Sequence, residues 1–331
     1  MHLKIAVVDT IHSLPFQSQS EKVKESPVLR LPSSVLSTQS PVPSPPYLRP
    51  MKLHSIETGH FKLDGGAMFG VVPKSIWQKT NPADSNNLID MAMRCLLVED
   101  GKRLTLIDTG IGNKQSEKFF SHYFLHGDAT LDKSLERLGF HRSDITDVFL
   151  THLHFDHCGG AIELDKTSGQ FRSAFPNAHF WTNERHWHWA TKPNPREKAS
   201  FLSENILPIQ ESGQLKFIDR TSDCCMTPLG FEVIFVDGHT DSMMLPLIEW
   251  NGRKYCFMAD LLPSIGHIPL AYVMGYDTRP LITMDEKARF LRRAVDEQFV
   301  LVYEHDPIHE CSTLMDTEKG VRVGEVFNLG V

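Results

Sequence analysis

The chain has 331 residues and a net charge of −7 at pH 7, with charged and apolar fractions that are ordinary for a globular protein. The acidic balance argues against nucleic acid as the main partner, because phosphate binding favours a basic surface. The six cysteines are scattered without a C-x-x-C pair, and no apolar run approaches the roughly 20 residues that span a bilayer. These features argue against a disulfide frame, a zinc knuckle and a membrane protein, and they predict a cytoplasmic protein with reduced thiols.

Residues 1–50 differ in composition from the rest of the chain. They contain eight prolines and nine serines and few aromatic residues. Such a segment buries too little apolar surface to offset the entropy lost on ordering, so we predict a disordered N-terminal extension. The functional protein is expected to start at or near Met51, and residues 51–331 are predicted to form the folded domain. A linker or a targeting arm is the rival interpretation of the extension.

Short strand-like runs follow Met51. They cover residues 52–56, 93–98 and Leu104–Ile107, and the last run ends in Asp108 before a glycine-rich turn. A carboxylate at such a place is often a cap or turn residue, but we interpret Asp108 as a residue that orients a ligand histidine.

A small-residue stretch, residues 64–70, lies between the first two runs. It surrounds Met68 and Phe69 with glycine and alanine. One interpretation is a plain loop anchored by two core residues. The other is a loop whose Met68 and Phe69 line an apolar substrate pocket.

Helices are predicted for residues 116–138, from the spacing of their apolar residues, and for residues 285–296, which form an amphipathic stretch. Residues 184–190 indicate a helix or a cap packed on its tryptophans, so the two histidines there are not taken as metal ligands. Residues 191–214 contain three prolines and predict a lid or a long connection.

The densest group of polar side chains follows the apolar run at residues 145–150, which predicts a buried strand. In an extended chain, residues two apart point the same way, so His152 and His154 are placed to share one ion. Asp156 and His157 come after a turn that two glycines permit, and they are placed to face a second ion. Imidazole with carboxylate suits Zn, Mn, Fe or Co, whereas the simpler alternative is a polar loop with accidental histidines.

Three later strands each end in a side chain of the kind that binds metals. The predicted strands at residues 231–236, 255–259 and 299–303 are followed by His239, Asp260 and His305. One such residue alone is more often a surface or capping residue, but a metal site needs ligands that converge from several elements. Four strand ends of one kind therefore predict one composite metal site.

The chain resembles the metallo-β-lactamase superfamily. The motif His152-x-His154-x-Asp156-His157, followed by His239, Asp260 and His305, matches the ligand series of that family in order and rough spacing, and Asp108 matches its early strand-end aspartate. The resemblance covers about residues 51–331. It implies an α/β fold, an αβ/βα sandwich of two mixed β-sheets flanked by helices, with the site at one edge.

The resemblance also implies a dinuclear hydrolase. His152, His154 and His239 would hold one divalent ion, and Asp156, His157 and His305 would hold the other, with Asp260 bridging both. Zn²⁺ is the first choice, and Mn, Fe or Co are the others. A hydroxide bridging the two ions would attack the substrate, so Asp156 and Asp260 become the catalytic carboxylates, and Asp156 is also placed to shuttle the proton.

Two stretches, Thr-His-Leu-His-Phe-Asp-His at the motif and residues 64–74, look like the quorum-quenching N-acyl homoserine lactonases. This likeness implies the opening of lactones, with an acyl chain lying along Met68, Phe69 and the region of Trp187. The sequence departs from the family after His239-Thr240, where it continues Asp-Ser-Met instead of Pro-Gly-His.

A second departure concerns Pro263, which stands where those lactonases have a tyrosine that assists the substrate carbonyl. His267, Tyr272 and Tyr276 are the nearby candidates for that role.

Other interpretations of the same site stay open. Relatives hydrolyse phosphotriesters, phosphodiesters, thioesters and β-lactams, and a fold does not fix which. A protein that binds metal without catalysis is the alternative from another class, and the complete ligand series argues against it. In the enzyme interpretation the partner is a small-molecule substrate, and a homodimer is compatible with the sequence.

Overall fold

The computed structural model describes residues 51–329. The predictions made for residues 1–50 lie outside this range. Within it, no helix combines the length and the apolar character that crossing a bilayer requires.

The first sheet is built from the N-terminal part of the described chain. The eight strands found before residue 218 are β1 (Lys52–Asp64), β2 (Leu88–Glu99), β3 (Leu104–Ile107), β4 (Asp147–Phe149), β5 (Ile162–Leu164), β6 (Phe171–Ser173), β7 (His179–Thr182) and β8 (Leu215–Phe217). β5 and β6 form a separate hairpin, and the other six form a sheet in the order β1-β2-β3-β4-β7-β8. The pairs from β1 to β3 are antiparallel, and those from β3 to β8 are parallel, so this sheet is mixed.

The second sheet is built from the C-terminal part of the described chain. Its seven strands are β9 (Cys224–Met226), β10 (Glu232–Val236), β11 (Met243–Trp250), β12 (Arg253–Phe257), β13 (Val300–Val302), β14 (Cys311–Met315) and β15 (Arg322–Phe327). Their order is β15-β14-β13-β12-β11-β10-β9. Only β12 and β13 pair in parallel among these described strands, so this sheet is mixed as well.

Helices cover the outer faces of the two sheets. The eight α-helices of the described range are α1 (Gly65–Phe69), α2 (Lys74–Trp77), α3 (Glu117–Phe120), α4 (Leu131–Arg137), α5 (Phe155–Cys158), α6 (Glu184–Thr191), α7 (Ser203–Glu211) and α8 (Pro280–Asp296). α8 makes the crossover between the parallel strands β12 and β13, a connection that needs a dozen or more residues.

The alternation of side chains along β2 shows how the layers pack. Leu96 and Val98 point into the core shared with the second sheet, whereas Cys95 and Leu97 point into the core under α4, α6 and α7. A strand sends successive side chains to opposite faces, so a strand that is buried on both faces is apolar throughout. The predicted sandwich of two mixed sheets flanked by helices is confirmed.

Three predicted stretches differ in the structure. Residues 116–138 form two short helices, α3 and α4, because Phe124 and Gly127 adopt positive φ angles that a helix does not permit. Residues 64–70 contain the helix α1, whose first turn is capped by the Asp64 carboxylate through the amide of Ala67 (2.8 Å). The predicted connection at residues 191–214 includes α7, which tolerates Pro208 within it.

Candidate metal centre

The motif after β4 is a tight turn held against the loop that follows β3. Gly159 and Gly160 lie so close to the carbonyl oxygens of Ile111 and Thr109 that a Cβ at either position would overlap them. The amide of Gly160 donates to the carbonyl of Gly110 (2.9 Å), which joins the two turns. The glycines therefore fix where the histidines before them lie.

The structure brings the predicted ligands into two clusters. His152, His154, His239 and Asp260 have candidate ligand atoms within 4.8 Å of one another, as do those of Asp156, His157 and His305. All seven residues, which we call the ligand set, are buried. They come from the ends of β4, β10, β12 and β13 and from the start of α5, so the predicted convergence of four strand ends is present in the structure.

Asp260 lies between the two clusters. One carboxylate oxygen, Oδ2, is 3.0 Å from Nε2 of His239 in the first cluster. The other, Oδ1, is 3.1 Å from Nε2 of His305 in the second. This carboxylate is therefore placed to contact ions in both clusters at once.

The histidines that line the clusters are oriented by their outer nitrogens. The acceptors are Thr151 Oγ1 for His152 Nδ1 (3.1 Å), Asp108 Oδ2 for His157 Nδ1 (3.1 Å), Asp277 Oδ1 for His239 Nδ1 (2.9 Å) and the Ala92 carbonyl for His305 Nδ1 (2.8 Å). We assign the proton of each ring to the outer nitrogen, because each faces an acceptor. The structure places Asp108 where the sequence predicted it, against a ligand histidine.

With the protons on the outer nitrogens, the inner nitrogens are free to bind metal ions. The inner nitrogens then carry only lone pairs, yet they face one another at short range. Nε2 of His152 is 3.0 Å from Nδ1 of His154, and Nε2 of His157 is 3.2 Å from Nε2 of His305. Converging lone pairs repel unless a cation lies among them, so a donor set of imidazole and carboxylate fits divalent metal.

The pKa shifts of the ligand histidines run in opposite directions, according to whether a carboxylate faces the ring. Burial, assisted by His157 and His154, lowers the pKa of His152 well below its usual value. Burial also acts to lower the pKa of His239, but Asp260 and Asp277 outweigh it and raise that pKa to about 10. The carboxylates thus stabilise positive charge in the cluster, whether protons or metal ions carry it.

The sequence did not indicate two acidic residues that lie beside the ligand histidines. Asp277 lies in a loop that no strand pattern marks, and it reaches His239 from 38 positions along the chain. Glu304 precedes the ligand His305, and its Oε2 lies 2.9 Å from Nδ1 of His157. Burial raises the pKa of Glu304 to about 8. The Glu-His pair in the sequence was the only signal for this residue.

A cavity of about 340 Å³ opens above the ligand set. Its floor contains His154, Asp156, His239, Asp260 and His305. Its walls include the apolar Leu63, Met68, Phe155 and Met274, and the polar Tyr123, Arg196, Glu197 and Tyr276. The volume is within the range of small-molecule sites, and the combination of apolar walls with a few polar groups is typical of them.

The structure places the predicted pocket residues in two different environments. Met68 and Tyr276 line the cavity, but Phe69 and His267 lie in the core instead. Phe69 stacks on the ring of His267 with a centroid distance of 4.3 Å. His267 is held by the carbonyl of Met68 (2.9 Å) and by Ser264 (2.9 Å), so its part is to fix α1. Both residues are corrections to the predicted pocket.

Trp187 and Tyr272 are also placed away from the cavity walls. Trp187 packs in the core under α6, and Tyr272 packs edge-on to Phe69 with a centroid distance of 6.4 Å. His186 is no ligand either, because its Nε2 accepts the Leu153 amide (2.9 Å) and its Nδ1 donates to the Asp241 carbonyl (2.6 Å).

The fold and the site define a member of the metallo-beta-lactamase superfamily. The sequence model of that superfamily matches residues 94–305, and the chain belongs to it. A probable metallo-hydrolase of Mycobacterium tuberculosis is 30% identical over 274 residues, which cover 73% of this chain and 85% of the relative. An N-acyl homoserine lactonase of Bacillus cereus is 25% identical over 173 residues, which cover 49% of this chain and 60% of the relative.

Solved structures agree with this assignment. A probable metal-dependent hydrolase from Staphylococcus aureus superposes with a TM-score of 0.75 at 27% identity, covering 84% of this chain and 97% of the other. AidC, a dizinc quorum-quenching lactonase, shares the fold with a TM-score of 0.68 at 24% identity, covering 85% and 96%. The chain is a metallo-hydrolase of this superfamily, and the predicted membership is confirmed.

Proposed function

We propose that the protein is a dinuclear metal-dependent hydrolase, loaded with Zn²⁺, that opens lactones such as N-acyl homoserine lactones. The observation that carries the dinuclear part is the position of Asp260. It contacts His239 of one cluster and His305 of the other, so the clusters are arranged as neighbouring sites with a shared ligand. The lactone part is supported by the lactonase among the relatives.

Two divalent ions in these clusters would supply a water of lowered pKa and an electrophile for the substrate oxygen. The seven residues of the ligand set would hold these ions in place. Asp156 lies on the cavity floor, with Oδ2 3.9 Å from Nε2 of His305, where its carboxylate can take up a proton from the attacking water. In the overall reaction water adds to the ring carbonyl, the ring C–O bond breaks, and a hydroxy acid is released.

Two tyrosines of the cavity wall are candidates to assist the substrate carbonyl, the role of the lactonase tyrosine whose position is occupied here by Pro263. Burial raises the pKa of Tyr276 to about 12, and burial with the charge of Asp156 raises that of Tyr123 to about 12. Both therefore keep their protons at neutral pH and can donate a hydrogen bond to the substrate carbonyl or to the departing oxygen. Tyr123 comes from the loop after α3, which the sequence analysis did not connect to the site.

The apolar walls suit the acyl part of such a substrate. Leu63, Met68 and Met274 line the same cavity as the ligand set. A flexible methionine side chain adapts to chains of different shape, so these residues would select acyl length by packing.

Arg196 favours a second candidate, the hydrolysis of an anionic phosphodiester. Arg196 lines the cavity, and a planar guanidinium binds phosphate oxygens in pairs. A neutral lactone makes no use of that charge.

The test is hydrolysis by the purified, Zn²⁺-loaded full chain on a panel of substrates. The panel contains homoserine lactones of several acyl lengths, an aryl phosphotriester, an aryl phosphodiester and a β-lactam, with His154→Ala as the blank. Turnover of lactones that disappears in the variant supports the proposal. Turnover of the phosphodiester without lactone activity selects the second candidate. Two bound ions with no turnover of any substrate would favour a metal-binding protein without catalysis.

A further inference from the structure

Within residues 51–329, one ligand histidine, His154, has no hydrogen-bond acceptor at the ring nitrogen that points away from the cluster, whereas the other four histidines each have one. The outer nitrogens of His152, His157, His239 and His305 each lie within 3.1 Å of an oxygen from a strand or a loop next to the site. The outer nitrogen of His154 is Nε2, because its Nδ1 faces the inner nitrogens of His152 (3.0 Å) and His239 (3.2 Å). Nε2 is buried and has no hydrogen-bond partner among the described residues.

Glu197 is the residue that this nitrogen faces. Its Oε1 lies 3.5 Å from His154 Nε2, and this oxygen is also buried without a hydrogen-bond partner in the described part of the chain. The separation exceeds the usual 2.7–3.2 Å of an N–H···O hydrogen bond. A buried donor and a buried carboxylate oxygen that face each other nevertheless form a pair that a small adjustment completes.

Hydrogen bonds to the other carboxylate oxygen hold Glu197 in this position. Its other oxygen, Oε2, accepts from Trp189 Nε1 (2.7 Å) and from Asn194 Nδ2 (2.6 Å). The side chain is only 3% exposed. Two donors on one oxygen fix the carboxylate plane, so Oε1 remains directed at His154.

The segment that carries Glu197 differs from the elements that orient the other histidines. Residues 192–202, which we call the wall segment, include Arg196, Glu197, Ala199 and Ser200 of the cavity wall. Arg196 donates to the carbonyls of Gly275 and Asp277, and the Ser200 carbonyl accepts from the amide of Phe155 (2.9 Å). The substrate cavity and the orientation of His154 thus depend on one piece of chain.

We propose that Glu197 is a positioning residue that orients His154 and thereby sets metal affinity at the three-histidine cluster. The inference rests on the metal binding of the proposed function but not on any substrate. Outer partners of ligand histidines contribute about 10- to 100-fold to metal affinity in other proteins. Because Glu197 belongs to the wall segment, a movement of that segment would weaken the same ion.

The test measures metal binding on the full chain without substrate. Zn²⁺ affinity of both sites is determined by competition with a chromophoric chelator, and Co²⁺-loaded protein is examined by visible absorption. Glu197→Ala and Glu197→Gln should weaken one of the two ions about 10- to 100-fold and change the Co²⁺ spectrum. Trp189→Phe keeps an aromatic ring but removes one donor to Oε2, so it should produce a smaller loss in the same site.

Glu211→Gln is the matched control, because Glu211 is an exposed carboxylate at the end of α7. It should bind both ions as the wild type does. Circular dichroism verifies folding, and if Glu197→Ala does not fold, the other two variants decide. Wild-type affinity and an unchanged Co²⁺ spectrum in Glu197→Gln and Trp189→Phe would overturn the inference. A wild-type protein that binds no metal would instead overturn the proposed function.

Discussion

The floor and the walls of the cavity are built in different ways. The floor consists of side chains at the ends of buried strands, and its histidines are oriented by short contacts such as those of Asp277 and Asp108. Leu63 of β1 and Phe155 of α5 contribute to the walls, but most of the wall comes from α1, the loop after α3, the wall segment and residues 274–276. Strand ends are fixed by the sheets, whereas most of the wall depends on contacts between loops. The sheets therefore position the candidate metal ligands, and the loops shape the part of the cavity that selects the substrate.

Replacing the bridging carboxylate should have the largest effect, because it disrupts the floor. Asp260→Asn keeps the shape of the side chain but removes the charge that faces His239 and His305. We expect kcat/KM on the cleaved substrate to fall at least about 1,000-fold, or about 4 kcal/mol, together with loss of bound metal. Steady-state kinetics and elemental analysis measure both. Two bound ions with unchanged kcat/KM would show that this carboxylate has no part in the reaction.

A buried lysine that holds the chain leading into one cavity wall should make the stability of the protein depend on pH. Lys287 is fully buried, and its Nζ donates to the carbonyls of His267 (2.7 Å), Pro269 (3.1 Å) and Tyr272 (2.7 Å). Burial lowers its pKa from 10.5 to about 7. Between these values the unfolded chain binds the extra proton, so the free energy of unfolding should rise with pH, by about 4 kcal/mol.

Lys287→Met removes the titrating group but keeps much of the side-chain volume. Urea unfolding from pH 7 to 10 should therefore show a rise in the wild type that exceeds the rise in the variant. Parallel curves for the two proteins would mean that the lysine keeps its charge when it is buried. Lys198→Met, at an exposed position, serves as the control.

Removing a wall hydroxyl should lower the rate and leave the floor intact. Tyr276→Phe and Tyr123→Phe each delete one donor that lines the cavity. For the tyrosine that contacts the substrate oxygen we expect kcat to fall about 10- to 100-fold, with metal content unchanged. The double variant distinguishes one donor from two. Full activity in that variant would mean that neither tyrosine assists the reaction.

Changing an apolar wall residue should give the smallest effect. Met68→Ala enlarges the cavity beside the ligand set. We expect a few-fold change in kcat/KM that grows with acyl length, because each buried methylene contributes about 0.8 kcal/mol. Measurements with short and long homoserine lactones test this. An equal change for all lengths would place the acyl chain on another wall.

The sequence was sufficient to predict most of the floor and little of the walls. His239, Asp260 and His305 follow apolar strands that buried sheets require, so their convergence is a consequence of the fold. The failure at Phe69 has a local cause. Met68 and Phe69 are consecutive residues of the helix α1, and consecutive helical side chains point about 100° apart. One therefore lines the cavity, and the other enters the core.

Longer-range contacts explain the remaining omissions. Tyr123 and Tyr276 line the same cavity from distant parts of the chain. Glu197 lies in a segment whose prolines predicted only a lid or connection, and its role depends on Trp189 and Asn194. Residues that meet through loops carry no periodic pattern, so a single sequence contains no signal for them.

The two sheets are made from successive halves of the described chain, divided at residues 218–223 between β8 and β9. Each of the two ligand clusters contains side chains from both halves. In one cluster His152 and His154 lie beside His239, and in the other Asp156 and His157 lie beside His305. Divalent ions would therefore act as a cross-link between the halves. A chain cut in this turn, most of whose residues are exposed, should reassemble from its two fragments more tightly when the ions are supplied than when they are chelated.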